Sequence, residues 1–282
     1  IPMPGLTKLD HLISLLDDDS QVVQEAVQKE LWSIRQDLPE RLALMDRPLT
    51  ESEESHMSRL LEPARRVELE ETWMRWRWLD NPTTQLEEGI AQISAYLHSW
   101  RTQPGELARR LDVLAEEAFH EQGRMDAREL ADWLFTMRNG ATRFRGNSKD
   151  YYTPSNSNLL WVLETGLGNP ISLCCLYRLL GQRFGIEIHG CNFPGHFLAQ
   201  VQHAGQTWLV DCFNRGRFML SGDVARHHPA ANPSIEEVVR TPASTEAILL
   251  RILRNLDEAF DRLDHTTYRQ TMRALAIKLM ED

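Results

Sequence analysis

Apolar residues in this chain recur with two different periods. Up to about residue 145 the steps are three and four. Leu9, Leu12, Ile13 and Leu16 form one stripe, and Val23, Ala26, Val27, Leu31 and Ile34 form a second. Between them the run Asp17-Asp18-Asp19-Ser20 supplies N-cap residues, so the pattern predicts a pair of short antiparallel helices over 6–36. Leu69, Trp73 and Trp76 continue the helical spacing until Asn81-Pro82 breaks it. Thr84 and Glu87 then have capping-box spacing ahead of a one-sided stripe, Leu86, Ile90, Ile93, Leu97 and Trp100, which Pro104-Gly105 ends. Leu107, Leu111, Leu114, Ala118 and Phe119 make the next face, and Leu130, Leu134 and Phe135 another before Asn139-Gly140. Aromatic residues at helical intervals read as core, which is the reading for the tryptophan-rich stretch.

From Tyr151 the texture changes. Tyr-Tyr-Thr-Pro-Ser-Asn-Ser-Asn is a polar, turn-forming run that leads into Leu159-Leu160-Trp161-Val162-Leu163. Gly166-Leu167-Gly168-Asn169-Pro170 follows, with Pro170 placed as the first residue of a helix that runs to about Phe184 and stops at Gly185. Beyond it the period falls to two: Ile186 and Ile188, then Phe197, Ala199 and Val201, then Trp208, Val210 and Cys212, with Ala204-Gly205 as a hairpin turn. Residues 234–282 return to helix, opening with capping-box spacing at Ser234 and Glu237 and continuing through Leu249, Ile252, Leu253, Leu256 and Phe260. Three strands after a helix predict an α+β fold. The N-terminal pair resembles a HEAT-type hairpin, but no second copy follows at a fixed period, so a solenoid is not expected.

Composition narrows the function classes. The 282 residues are 42% hydrophobic and 26% charged, ordinary values for a globular chain, and the formal net charge of −10 supplies no positive field for nucleic acid or an anionic membrane surface. No uninterrupted apolar run of about 18 residues is present. Ile1-Pro2-Met3-Pro4-Gly5 lacks the basic and apolar parts of a signal peptide, so the expectation is cytoplasmic, although trimming would hide a lost signal. Cys174, Cys175, Cys191 and Cys212 do not form a disulfide scaffold and contain no C-x-x-C pair; they read as small buried hydrophobes in a reducing compartment. His227-His228 has no carboxylate or thiol at ligand spacing, so no metal is expected. With no Gly-rich phosphate loop, nucleotide hydrolysis has no support and no cofactor is expected. Arg143, Arg145 and Lys149 read as a solvated basic loop.

The region from Asn156 to Gly216 carries the candidate chemistry. His196 precedes Phe197 on one predicted strand and Asp211 ends the next, so the two can meet across an antiparallel pair. The carboxylate would then fix the imidazole tautomer and leave the other ring nitrogen to serve a nucleophile at the head of the preceding helix. There, unpaired N–H groups and the helix dipole favour a thiolate. The alternative is that His196 and Asp211 merely lock two strands together, that Asn156 and Asn158 bond loop backbone, and that Gly168 and Gly195 supply special backbone angles.

The segments Asn156-Ser157-Asn158-Leu159, Val162-Leu163-Glu164, Gly168-Asn169-Pro170-Ile171-Ser172-Leu173, Phe193-Pro194-Gly195-His196-Phe197-Leu198 and Asp211-Cys212-Phe213 resemble the SirB-type branch of the transglutaminase-like superfamily. The resemblance implies a papain/transglutaminase-like α+β core, a helix packed on an antiparallel sheet. It implies a helical N-terminal region over 1–145, the core over 146–230 and a helical, tetratricopeptide-like tail over 231–282. It also puts His196 and Asp211 in the second and third places of a Cys-His-Asp triad. The first place, at the opening of the helix, falls on Pro170, which carries no nucleophile. Ser172 is near that opening, and Cys174 and Cys175 come a turn or more later, where helix geometry rotates them toward the sheet. The expected function is therefore that of a degenerate, non-catalytic relative that binds a protein or peptide partner. The recognition cleft would include His196 and Asp211 and be rimmed by Asn156, Asn158, Pro170, Ser172 and Gly195. The alternative is a cysteine amidase, peptidase or acyl transferase with Cys174 as nucleophile.

Overall fold

A computed structural model describes residues 4–137, 140–227 and 234–281. Asn139 of the predicted Asn139-Gly140 break, His228 of the His227-His228 pair and the first three residues lie outside them, as do the side chains of His227 and Ser234. The chain forms two compact units, one comprising the residues up to Thr72 together with His98–Pro104, the other Trp73–Leu97 with Gly105 onward.

The first unit is helical. The predicted N-terminal pair is present as α1 (Pro4–Ser14) and α2 (Gln21–Ser33), followed by α3 (Leu38–Ala43) and α4 (Glu51–Thr72). Leu9, Ile13, Leu16, Val27 and Leu31 join Leu38, Met57 and Leu61 in one core cluster. Ser20 is the N-cap residue of α2, but its side chain makes no capping bond.

The second unit surrounds the sheet. Its leading helices are α5 (Pro82–His98) up to Leu97, α6 (Glu106–Gln122) and α7 (Ala127–Phe135), which fall in the 1–145 region grouped above as N-terminal but lie in the same unit as the sheet. The cap of α5 differs from the Thr84 and Glu87 expectation. Asn81 accepts from the backbone N–H groups of Thr83 and Thr84, Pro82 takes the first helical turn, and Glu87 instead pairs with Arg183. Trp73 and Trp76 are fully buried, as core residues, but they lie in a 3-10 segment, Trp73–Trp78. Phe119, expected on the apolar face of α6, is 54% exposed.

Two residues of β1 (Arg145–Gly146) pair in parallel with β2 (Leu167–Gly168), on either side of α8 (Leu159–Thr165). Then comes α9 (Pro170–Arg183), as predicted from its proline and closing glycine, with every residue from Pro170 to Gly181 buried. An antiparallel sheet follows in the order β3 (Ile188–Cys191), β4 (Leu198–His203), β5 (Gln206–Asp211) and β6 (Arg217–Leu220). Three of these strands are the predicted ones. The hairpin is turned by Ala204 (φ 52°) and Gly205 (φ 74°), whose twist matches that of the flanking strands. The fourth strand, β6, carries little period-two signal and is added by the sheet itself.

His196 and Phe197 were expected on a strand. The structure places His196 in a turn ahead of β4, with Gly195 at φ 72° beside it. The sheet is also buried on both faces: Ile188 packs against Gly181 of α9, while Cys191, Leu198 and Leu209 on the opposite face pack with Ile235 and Val239 of α11 (Ser234–Arg240). Helix α10 (Ser221–His227) connects β6 to this layer, and α12 (Thr245–Arg262) and α13 (Thr266–Met280) pack together as the C-terminal hairpin. The fold is thus the expected α+β arrangement, a central helix on an antiparallel sheet with helical regions before and after it.

Candidate functional site

The register of the sheet brings His196 to Asp211. Ala199 pairs with Val210, so one step further along the ladder Leu198 lies opposite Asp211, and His196 is the diagonal neighbour two residues upstream. Its Nε2 is 2.9 Å from Asp211 Oδ1. An ionised carboxylate only accepts, so Nε2 carries the proton and Nδ1 is the nitrogen left over. Asp211 is mostly buried and also accepts from Asn214, at 3.1 Å from its backbone N–H to Oδ1 and 2.8 Å from Nδ2 to Oδ2. Burial acts to raise its pKa, but the bonds from His196 and Asn214 and the charge of His196 outweigh it, and the carboxyl is held below its ordinary value of 3.8.

The turn that presents His196 is held by α12. Arg251 donates through Nη1 to Asn192 Oδ1 and to the Phe193 carbonyl, and through Nη2 to the His196 carbonyl at 3.2 Å. Arg251 and Asn214 are not among the residues expected at the site. Only the Asx-turn propensity of Asp-x-x-Asn hints at the latter, and nothing local signals the former, which lies 55 residues from the carbonyl it holds.

On one side the pair opens on a cleft of about 570 Å³ whose apolar wall includes Leu198, Trp208, Phe218 and Met219, with Arg217 at the polar end next to Asp211, its cross-strand partner. The imidazole also stands edge-on to Phe213, at 6.3 Å between centroids, and Phe213 in turn contacts Tyr151 at 5.8 Å. Phe213 lies against Gly146, where a Cβ would come within 2.6 Å of the ring, and Gly146 pairs with Gly168 at the entrance to α9.

The remaining predicted site residues are placed elsewhere. Asn156 is fully buried; its Oδ1 accepts from Asn147 Nδ2 and its Nδ2 donates to the carbonyls of Asp150 and Tyr151. Asn158 caps α8 by accepting from the Leu160 and Trp161 N–H groups. Ser172 forms a capping box with Asn169, whose Nδ2 donates to Ser157 Oγ. Pro170 is buried, and neither it nor these three residues line the cleft. Their polar atoms build the scaffold under the loop instead of its rim. Gly195 keeps the turn at positive φ.

The structure does not bring Cys174 to His196. Its thiol is 1% exposed and donates to the Leu198 carbonyl at 3.5 Å. Burial, with Cys212 beside it, pushes the thiol well above its ordinary value. Burial likewise pushes up Cys175 and takes Cys191 to about 12. All four cysteines are unpaired and buried. Arg143 of the predicted basic loop is engaged rather than free, pairing with Glu117 and Glu121 over the Trp133 ring. Among the described residues no cluster of His, Cys, Asp or Glu is arranged to hold a metal ion, and no helix is long and apolar enough to cross a membrane.

A helix led by Asn-Pro, packed on an antiparallel sheet whose turn and strand end join a histidine to an aspartate, is the layout of one class of proteins. This chain belongs to the transglutaminase-like superfamily, whose family model matches residues 105–254. It is similar to a UPF0162 protein of Xylella fastidiosa, 30% identical over 198 residues that make up 66% of this chain and 70% of that one. A UPF0162 protein of Vibrio cholerae is 30% identical over 126 residues, 45% of this chain and 40% of its own. Human F-box only protein 21 is 33% identical over 72 residues, 26% of this chain and 12% of that protein. No solved structure matches the chain.

Proposed function

We propose that this protein is a non-catalytic member of its superfamily, of the SirB-type branch, that binds a peptide or protein segment in the cleft beside His196 and Asp211. The observation that carries the reading is a base and its orienter assembled, among the described residues, without a nucleophile in reach. A nucleophile must lie within hydrogen-bond distance of the base and be ionisable near working pH. Cys174 bonds a main-chain carbonyl in the core with its thiol pushed upward, Ser172 is locked in a capping box, and position 170 is proline. What persists is a cleft with an apolar wall and a polar end, the usual chemistry of peptide recognition. The four unpaired buried thiols support a reducing, cytoplasmic setting. The kinship to the SirB-type branch rests on the Gly-x-Pro-Ile-Ser-Leu and Pro-Gly-His-Phe segments.

Two measurements test this. In iodoacetamide titrations of the native protein from pH 5 to 9, all four thiols stay unreactive until the protein is unfolded. A single thiol with a depressed pKa that disappears in His196→Ala overturns the proposal in favour of a cysteine enzyme. In a peptide-array screen read by the fluorescence of Trp208, binders are lost in Met219→Arg, which fills the cleft, and weaken by less than about tenfold in His196→Ala, the scale of one hydrogen bond. Turnover of an amide or ester substrate abolished by His196→Ala counts equally against it.

A further inference from the structure

The central helix buries a cation that, among the described residues, has no counter-charge. Arg178 lies in the middle of α9 and is 6% exposed. Among the described residues its Nε and Nη1 have no hydrogen-bond partner, and its Nη2 reaches only Thr83 Oγ1, at 3.5 Å. Among the described residues no carboxylate pairs with it. The groups that act on it are Cys175 and Cys174 one turn earlier, thiols pushed upward by burial and therefore neutral at ordinary pH. An isolated buried guanidinium is among the costlier arrangements in a protein interior. Such groups are normally satisfied by a carboxylate, a chain of carbonyls or a bound ion.

What Arg178 meets is the start of a helix. Thr83 is the second residue of α5, a helix of 17 residues, and the side chain of Thr245, the first residue of the 18-residue α12, donates to the Pro82 carbonyl at 3.0 Å. The N-termini of two long helices therefore touch at the point toward which Arg178 extends. At the head of α12, Ser244 takes the Ala247 N–H, which leaves those of Thr245 and Glu246. Glu246 carries the one acidic side chain in that first turn and is not among the groups acting on Arg178. The dipole end of α12 and a buried guanidinium at one locus together favour an anion beside them.

We propose that Arg178, Thr83 and the head of α12 form a binding site for a small oxyanion, a phosphate or carboxylate group, separate from the His196–Asp211 cleft. The guanidinium supplies the charge and two free N–H edges, Thr83 a hydroxyl, and the first turn of α12 its backbone donors. The site is independent of the peptide-binding reading, since none of its residues lines that cleft.

The test is thermal unfolding and calorimetric titration of the full chain with sodium phosphate, and separately sodium malonate, against sodium chloride at matched ionic strength. One of the two oxyanions raises the unfolding midpoint along a saturable curve, and which one does so identifies the group. In Arg178→Met, a near-isosteric apolar replacement, affinity falls at least about tenfold, the worth of a charge-assisted hydrogen bond. Thr83→Val, a change on a half-buried side chain, weakens binding with the fold intact and serves if Arg178→Met does not fold. A linear response of equal slope in wild type and Thr83→Val is general salting-out and overturns the proposal. So does the absence of any saturable response in wild type to either anion.

Discussion

Asn156 separates a scaffold role from a ligand role by experiment. Its side chain makes three hydrogen bonds, one accepted from Asn147 and two donated to the carbonyls of Asp150 and Tyr151, at 2.8–2.9 Å. Truncation in Asn156→Ala removes all three. At about 1 kcal/mol net for each, the loss is about 3 kcal/mol. The carbonyls of Asp150 and Tyr151 belong to exposed residues and can turn to water, which keeps the cost from rising further, whereas Asn147 is 7% exposed and its amide stays stranded. In a unit of this size each kcal/mol moves the midpoint by about 2–4 °C, so the expected drop is about 6–12 °C. The assay is thermal unfolding followed by tryptophan fluorescence and repeated by circular dichroism, with urea unfolding alongside, in which the midpoint concentration falls while the slope stays constant. The variant also frees the segment carrying Tyr151, so amide exchange rises over residues 148–156 before it rises in the sheet. A thermal midpoint within about 1 °C of wild type, outside the range derived from three lost bonds, refutes the scaffold role of Asn156.

The Asp211 carboxyl has a folded pKa below its unfolded value, so between the two the unfolded chain binds more protons and stability rises with pH. Its contribution is complete at neutral pH and is lost as pH falls through the folded value; in Asp211→Asn the acid limb of a pH–stability curve is flatter, and an unchanged limb contradicts the assignment. Gly146→Ala brings a methyl group within 2.6 Å of the Phe213 ring and costs about 1–3 kcal/mol in urea unfolding, part of which Phe213→Leu restores in the double variant. Ala204, at φ 52° in the hairpin, is relieved by Ala204→Gly, with a net gain of about 0.5–1 kcal/mol in the same assay. Arg251→Ala releases the 192–196 turn, seen as faster amide exchange there and as a loss of peptide binding in the Trp208 assay, with little change in the exchange of β5.

The helices that were legible in the sequence are those with local punctuation. α9 is written between Asn169-Pro170 and Gly185, and the hairpin in Ala204-Gly205, because caps, proline and positive φ act over a few residues and need no distant partner. The His196–Asp211 contact was legible for a similar reason: two strands joined by a tight turn have a register that the turn fixes. At Asn156 and Asn158 the structure meets the backbone-bonding alternative, and Ser172 caps its own helix; sequence gives residue type but not burial, so the same amide that could face a ligand is here taken up by backbone.

Local pattern thus determined on its own that the chain is α+β, where its central helix begins, and that an imidazole and a carboxylate can meet after it. Tertiary structure decided the rest. The strand β6 and the cleft beside it exist because an edge of β5 was open to pair, and the double-sided burial of β4 because α11 covers the face opposite α9. The silence of Cys174, and the isolation of Arg178 at two converging helix heads, are likewise set by groups far away in the chain. Desolvation depends on everything packed around an atom, and no spacing of residues along a sequence encodes that sum.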